Sequence, residues 1–365
     1  MLEPIWRDNP DKRIDSPDGH RHATAGPEEC GILNLPSRQV APRLPAKRGP
    51  NHFGFDHSYG SLAGGISPWN HRYKKGPYSV TWHRNERLIE ESGHVTDLLT
   101  DEAVEWIASR GSAPFFLYVP YTAVHLPIKE PDEWLQRVPQ TISGDVPRHY
   151  AACVMHLDAA VGRIIDALEL KGVRDSTLLV FTSDNGGSTV ENNDLKYPDD
   201  NCPNGKLTGN NRPLRGGKDD VYEGGTRVPA IVSWPGRIKP GRVTSPVQIT
   251  DWMPTLSALA GYESERDLRW DGMDLTKLLI NQERLADRPI YTAGPRWRAS
   301  SLRFGDWKLI VRGEGNDQRI ELFNIAEDPG ELKNVAQADP NRVKEMVAKL
   351  NLAAGRDRDA IVEKP

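Results

Sequence analysis

Between residues 49 and 284 the apolar positions follow two kinds of pattern. In residues 96–110, Leu99, Ala103 and Ile107 recur four apart behind Thr96 or Asp97, either of which can cap a helix. Tyr150, Val154, Leu157, Val161, Ile164 and Leu168 lie three or four apart, which predicts one apolar helix face, and Gly172 stands where a C-terminal cap belongs. Residues 251–260 predict another helix, opened by Thr250 or Asp251, with Pro254 in its first turn and Gly261 at its end. Three continuous apolar runs, 115–119, 177–182 and 230–233, read as buried strands. Strand, helix, strand in this style predicts an α/β class: a mixed, largely parallel sheet with helices on its faces.

After about residue 285 the pattern shortens. Runs at 302–304, 307–311 and 320–323 are separated by Gly-containing turns, and a helix is predicted over 340–354. This predicts a smaller C-terminal antiparallel sheet with one helix, over 285–365. Residues 1–48 have neither period. Eight of the chain's 29 prolines fall in the first 50 positions, and apolar clusters are few, so this segment is expected to be poorly ordered. There are no internal repeats.

Composition narrows the partners. The formal net charge is -4, which argues against nucleic acid as the main partner, although a local basic pocket can still hold a small anion. No run approaches the ~18 apolar residues of a membrane span. The start, Met1-Leu2-Glu3-Pro4-Ile5-Trp6-Arg7-Asp8, has no apolar core of a signal peptide. Cys30, Cys153 and Cys202 imply no disulfide framework; a Cys153–Cys202 bridge, or Cys153 packed within its helix, both stand open.

Three segments carry chemistry. Thr182-Ser183-Asp184-Asn185-Gly186-Gly187 follows a predicted strand, and ligands of open α/β sheets bind beyond the carboxyl ends of strands. An Asp carboxylate beside an Asn carbonyl offers hard oxygen ligands suited to calcium or magnesium. Taken alone, the string is better read as a plain turn, since Asp, Asn and Gly favour turns. Pro213-Leu214-Arg215-Gly216-Gly217-Lys218, continuing to Glu223-Gly224-Gly225-Thr226-Arg227, brackets one lysine with two Gly-Gly pairs. Glycines permit close backbone approach and the ammonium offers a compact charge for an oxyanion; the plainer reading is a flexible basic surface loop. Arg215 and Arg227 are expected to be structural, pairing with Glu223 or Asp219. His125 lies just past the 115–119 run, placed to donate to a substrate oxygen or carry a proton, though a lone His is more often structural.

In their order and spacing these segments resemble the type I, formylglycine-dependent sulfatases, in the arylsulfatase B-like group. The resemblance takes in Gly54-Phe55-Asp56, Gly93-His94-Val95-Thr96-Asp97, the His125 segment, residues 150–162, Ser183-Asp184-Asn185-Gly186-Gly187 and Asn211-Arg212-Pro213-Leu214-Arg215-Gly216-Gly217-Lys218. It closes with Asp251-Trp252-Met253-Pro254-Thr255 and Glu321-Leu322-Phe323-Asn324. It implies an alkaline-phosphatase-like fold over about 49–284. It further implies Asp184 and Asn185 as ligands of Ca2+ (ahead of Mg2+), and Lys218 and His125 on the sulfate oxygens, helping the leaving group depart. The expected substrate is a sulfate ester, such as a sulfated sugar or polysaccharide. The family is commonly exported or lysosomal; compartment, oligomeric state and the natural substrate stay open.

The sequence also departs from the family. It contains no Cys-x-Pro-x-Arg or Ser-x-Pro-x-Arg from which formylglycine is made; the nearest string, Asn34-Leu35-Pro36-Ser37-Arg38, carries an unconvertible Asn. Neither the family's Gly-Lys-Trp-His-Leu-Gly segment nor its N-terminal Asp-Asp pair is found; Asp15 and Asp18 are not arranged like that pair, and Cys30 is not in the nucleophile motif. Two side chains cannot supply the ~6–8 oxygens of calcium, so weak metal binding is expected. Apolar strand edges are expected where a central strand is lacking. The leading expectation is a sulfate-ester hydrolase whose first part is lost or shifted in frame near residue 48. The rivals are a non-catalytic binder of sulfated glycans and a phosphoesterase of the same superfamily.

Overall fold

The computed structural model describes residues 49–76, 79–192, 197, 201–265, 267–295, 298–313 and 317–356. The proline-rich start, with Asp15, Asp18, Cys30 and the Asn34 string, lies outside them. The chain divides into two compact units: Met1–Thr177 with Val190–Thr208 and Leu256–Arg269, and Leu178–Thr189 with Gly209–Thr255 and Trp270–Pro365.

In the first unit a small antiparallel sheet runs in the order β1 (Tyr59–Ser61), β2 (Trp82–Arg84), β3 (Arg87–Leu88). Three helices follow: α1 (Val95–Ser109), α2 (Asp132–Arg137) and α3 (Asp145–Leu170). Leu99, Ala103 and Ile107 of α1 are buried, as their spacing predicts, and pack with Tyr59, Trp82, Trp106 and Leu168. The cap differs from expectation. It is His94, whose Nδ1 accepts the Thr96 N–H at 3.3 Å. Gly172 ends α3 with φ 76°, the left-handed conformation glycine adopts at no steric cost.

The buried face of α3 is rotated from the predicted stripe. Val154 is 47% exposed, while Ala152, Cys153, His156 and Ala160 are buried. Small residues let the helix sit close to its neighbours, and His156 is tolerated there because both ring nitrogens find carboxylates. Nδ1 lies 2.7 Å from Glu130 Oε2 and Nε2 lies 3.1 Å from Asp97 Oδ1. Trp134 stacks on the same ring at 4.7 Å. The cluster ties α1, α3 and the segment before α2 together. Cys153 and Cys202 are both buried and are not bridged to one another, which removes the bridge alternative. Cys153 packs among Ile128, Val146 and Leu207, and burial pushes its thiol up.

In the second unit β4 (Leu179–Thr182) and the four-residue helix α4 (Glu223–Thr226) precede β5 (Ala230–Ser233). β4 and β5 pair antiparallel, with Leu179 opposite Ser233 and Thr182 opposite Ala230. Among the described residues every named strand pair is antiparallel. The 115–119 run forms no named strand among the described residues. The apolar residues are correspondingly open: Ile231 of β5 is 60% exposed, and in the first unit Phe116 and Tyr118 are exposed.

α5 (Trp252–Leu259) runs across the division between the units, and α6 (Thr276–Asn281) follows. The C-terminal sheet orders β6 (Ile290–Ala293), β7 (Ala299–Phe304), β8 (Trp307–Arg312) and β9 (Arg319–Asn324) as neighbours, all antiparallel. Helix α7 (Pro340–Ala354) matches its predicted span, capped by Asp339, which accepts the Arg342 N–H at 3.0 Å. Its Met346 and Leu350 bury against Leu302, Leu309 and Leu322. On β8, Lys308 is buried, with Nζ 2.8 Å from Glu223 Oε1 and 3.0 Å from Glu331 Oε1. Glu331 also accepts the Glu223 N–H at 2.7 Å.

Two predictions follow from the buried charges. The two carboxylates overcome burial and raise His156 to about 9, above its ordinary value near 6.5. Its stabilisation is therefore full below pH ~6.5 and is lost as pH rises through 9, amounting to up to about 3 kcal/mol. Denaturant melts between pH 6.5 and 9.5 should show this slope, and His156→Gln should abolish it. Replacing Lys308 with Met leaves the buried Glu331 carboxylate without a cation, while Glu223 keeps Arg227 and Arg303, and should cost on the order of 3 kcal/mol in the same assay.

Candidate active site

Asp184 and Asn185 follow β4 directly, as the sequence predicts. Asn185 Nδ2 donates to Asp184 Oδ1 at 2.8 Å, so the two side chains face one another, and Asp184 is exposed. Ser183 Oγ donates to the Asn185 carbonyl at 2.9 Å and fixes the turn from below.

What brings Lys218 to this turn is backbone against backbone. The Lys218 N–H donates to the Gly187 carbonyl at 3.1 Å, and the Gly186 N–H donates to the Gly225 carbonyl at 3.0 Å. Asn211 clips the strips together. Its Oδ1 accepts the Gly187 N–H at 2.8 Å, and its Nδ2 donates to Gly187 O at 3.0 Å and Gly216 O at 3.2 Å. No side chain fits between. A Cβ on Gly186 would lie 1.8 Å from Gly224 O, one on Gly224 2.4 Å from Gly216 O, and one on Gly225 2.3 Å from Asp220 O. The Gly-Gly pairs are therefore structural necessities of this framework and not a flexible surface loop.

The arginines are spoken for in part. Arg227 reaches Glu223 at 3.7 Å, as expected. Arg215 pairs instead with Glu321 at 3.2 Å and stacks over Tyr222 at 3.9 Å.

His125 belongs to the first unit. Its ring packs against Gly65 and its Nδ1 contacts the Leu126 carbonyl. A Cβ on Gly65 would lie 2.8 Å from both the His125 ring and the Tyr197 hydroxyl, so glycine is required there too. The following segment is held by side chains the sequence does not single out. Asn192, fully buried, accepts the Ile128 N–H at 2.7 Å and donates to the Ile128 carbonyl at 3.0 Å. Trp69 Nε1 donates to Lys129 O at 3.0 Å.

Two groupings have metal-ligand chemistry. Asp184 and Asn185 are hard oxygen donors of the right kind for calcium, but two residues supply only part of its shell. His94, Asp97 and His156 present ligand atoms within 4.8 Å of one another. There both His156 nitrogens already face carboxylates, and burial holds His94 below its ordinary value. That arrangement is an ion-pair network around an imidazolium. The helical period alone does not mark it, although His94, Asp97 and His156 all lie in segments that carry the family resemblance.

The close backbone packing can be tested against an open glycine. Gly224→Ala is expected to destabilise the protein by roughly 3 kcal/mol or more, through the steric conflict described. Gly162→Ala, inside α3 with nothing within 4 Å of the added Cβ, should be neutral or stabilising by about 0.5–1 kcal/mol. Paired urea melts check both.

A family model for sulfatases matches residues 34–262, and one for the C-terminal part of N-sulphoglucosamine sulphohydrolase matches residues 217–356. A sulfatase of Formosa agariphila is 32% identical over 280 residues, 68% of this chain and 47% of that protein. Arylsulfatase J of Mus musculus is 28% identical over 84% of this chain and 56% of its own length. The chain thus spans about half the length of these relatives. Among solved structures, Ps i-CgsB in complex with k-i-k-neocarrahexaose superposes with a TM-score of 0.73 at 30% identity, covering 89% of this chain and 70% of that one. The fold is accordingly the alkaline-phosphatase-like one of sulfatases, and this chain belongs to the sulfatase family.

Proposed function

We propose that this chain carries part of the site of a sulfuric ester hydrolase acting on sulfated carbohydrates. The carrying observation is the glycine framework, which fixes Asp184 and Asn185 beside the backbone of Lys218. Asp184 and Asn185 would hold Ca2+, which when bound draws negative charge from the sulfate. Lys218 offers its ammonium to a sulfate oxygen, and its backbone anchor limits how far that charge strays as the ester bond weakens. For His125, in the first unit, the family resemblance is what supports the role of offering a ring proton to a substrate oxygen. The solved relative bound to neocarrahexaose supports a carbohydrate substrate.

A second reading has its own observation. The residues given contain no Cys/Ser-x-Pro-x-Arg, and on this reading the site binds sulfated sugars without turnover. One set of measurements separates the readings. Calorimetric titration with Ca2+ should show weak binding, with a Kd on the order of 10⁻⁴–10⁻³ M, that Asp184→Asn removes. Hydrolysis of a chromogenic aryl sulfate, faster than that of the matched phosphate and lost in Lys218→Ala, establishes the hydrolase. Sulfated-sugar binding that Lys218→Ala weakens, with no hydrolysis, establishes the binder. Indifference to both substitutions overturns the site.

A further inference from the structure

In the second unit the arginines around the glycine framework have carboxylate partners. Arg215 meets Glu321, Arg227 and Arg303 meet Glu223, Arg288 meets Asp251, and Arg312 meets Asp220 at 2.9 Å. These acids are thereby taken. Arg212 stands apart. Its backbone N–H is fixed by Asn210 Oδ1 at 3.0 Å, but the side chain is exposed, and its guanidinium has no ion-pair or hydrogen-bond partner among the described residues.

Its position is less free than its exposure implies. The residue before it, Asn211, is bonded to both the N–H and the carbonyl of Gly187, and the Lys218 N–H donates to that same carbonyl. Arg212 and Lys218 thus leave the framework from neighbouring points, a few Cα steps of ~3.8 Å apart. One cation is half-buried and backbone-anchored, and the other reaches into solvent from a fixed base. Planar guanidinium favours sulfate and carboxylate through paired N–H donors.

We infer that Arg212 is an accessory anion-binding residue that takes a second acidic group, sulfate or carboxylate, on a carbohydrate whose first sulfate sits at Lys218. This rests on the reading proposed above and adds a substrate class: sugar chains carrying more than one anion. An arginine serving only for solubility would show no preference between ligands, whereas this one should discriminate.

The test compares three disaccharides by calorimetry in the presence of Ca2+: one with two sulfates, one with a sulfate and a uronate carboxylate, and one with a single sulfate and no other charge. The unmodified protein should bind the doubly charged probes about tenfold or more tightly than the third. Arg212→Ala should shrink that gap to under about threefold while its melting temperature stays level, and Arg212→Lys should restore part of it. Which doubly charged probe loses more identifies the second group. Higher salt should weaken the doubly charged probes more steeply in the unmodified protein than in Arg212→Ala. If the gap persists undiminished in Arg212→Ala, the inference falls and the sulfate site stands. If the unmodified protein binds no probe, and Lys218→Ala changes nothing, the site reading falls and the inference with it.

Discussion

The close approach of peptide to peptide between residues 183–189, 209–218 and 222–226 is the constraint on which the candidate site depends. These strips are held by main-chain hydrogen bonds and by one amide side chain, Asn211, at distances that exclude any Cβ at Gly186, Gly224 or Gly225. Hydrogen bonds between peptide groups are short and directional, so such a framework fixes position more tightly than side-chain packing would. Asp184, Asn185 and Lys218 inherit that definition. Precise placement of charged groups is what electrostatic stabilisation of a reacting anion requires.

Buried charge secures the framework to its surroundings within each unit. In the second unit Lys308 joins Glu223, on α4, to Glu331 after β9, which connects the last glycine pair to the C-terminal sheet. In the first unit His156 joins Glu130 to Asp97 and so secures the segment that begins at His125. Each is costly to break and specific in geometry, because a buried ion that loses its partner has no water to replace it.

The helices with a wide apolar stripe, and the short strands after residue 285, were readable because their side chains face one core on a regular period. α7 is the clearest case, with its Asp339 cap, Pro340 start and apolar face. α3 was legible in extent but not in orientation. Its buried face is made of Ala152, Ala160 and His156, residues that a hydrophobicity period does not weight. The 115–119 run has strand composition, yet strand pairing depends on a neighbour that local sequence does not specify. At the site, the Asp-Asn-Gly-Gly string and the lysine between glycine pairs were visible. The clipping roles of Asn211, which the resemblance only includes in a motif, and of Asn192 were not, since an asparagine that clips two peptides looks the same in sequence as one in a solvated turn.

The indole of Trp134, lying on the His156 ring at 4.7 Å, has a consequence of a different kind. An aromatic face responds electronically to a cation placed over it, so the charge on this histidine is coupled to a chromophore. Trp69 lies edge-on to His94, the other histidine of the cluster, at 5.2 Å. Because the chain has ten tryptophans, the part of its ultraviolet emission that is lost in Trp134→Phe is the part that can follow the charge joining α1 to α3.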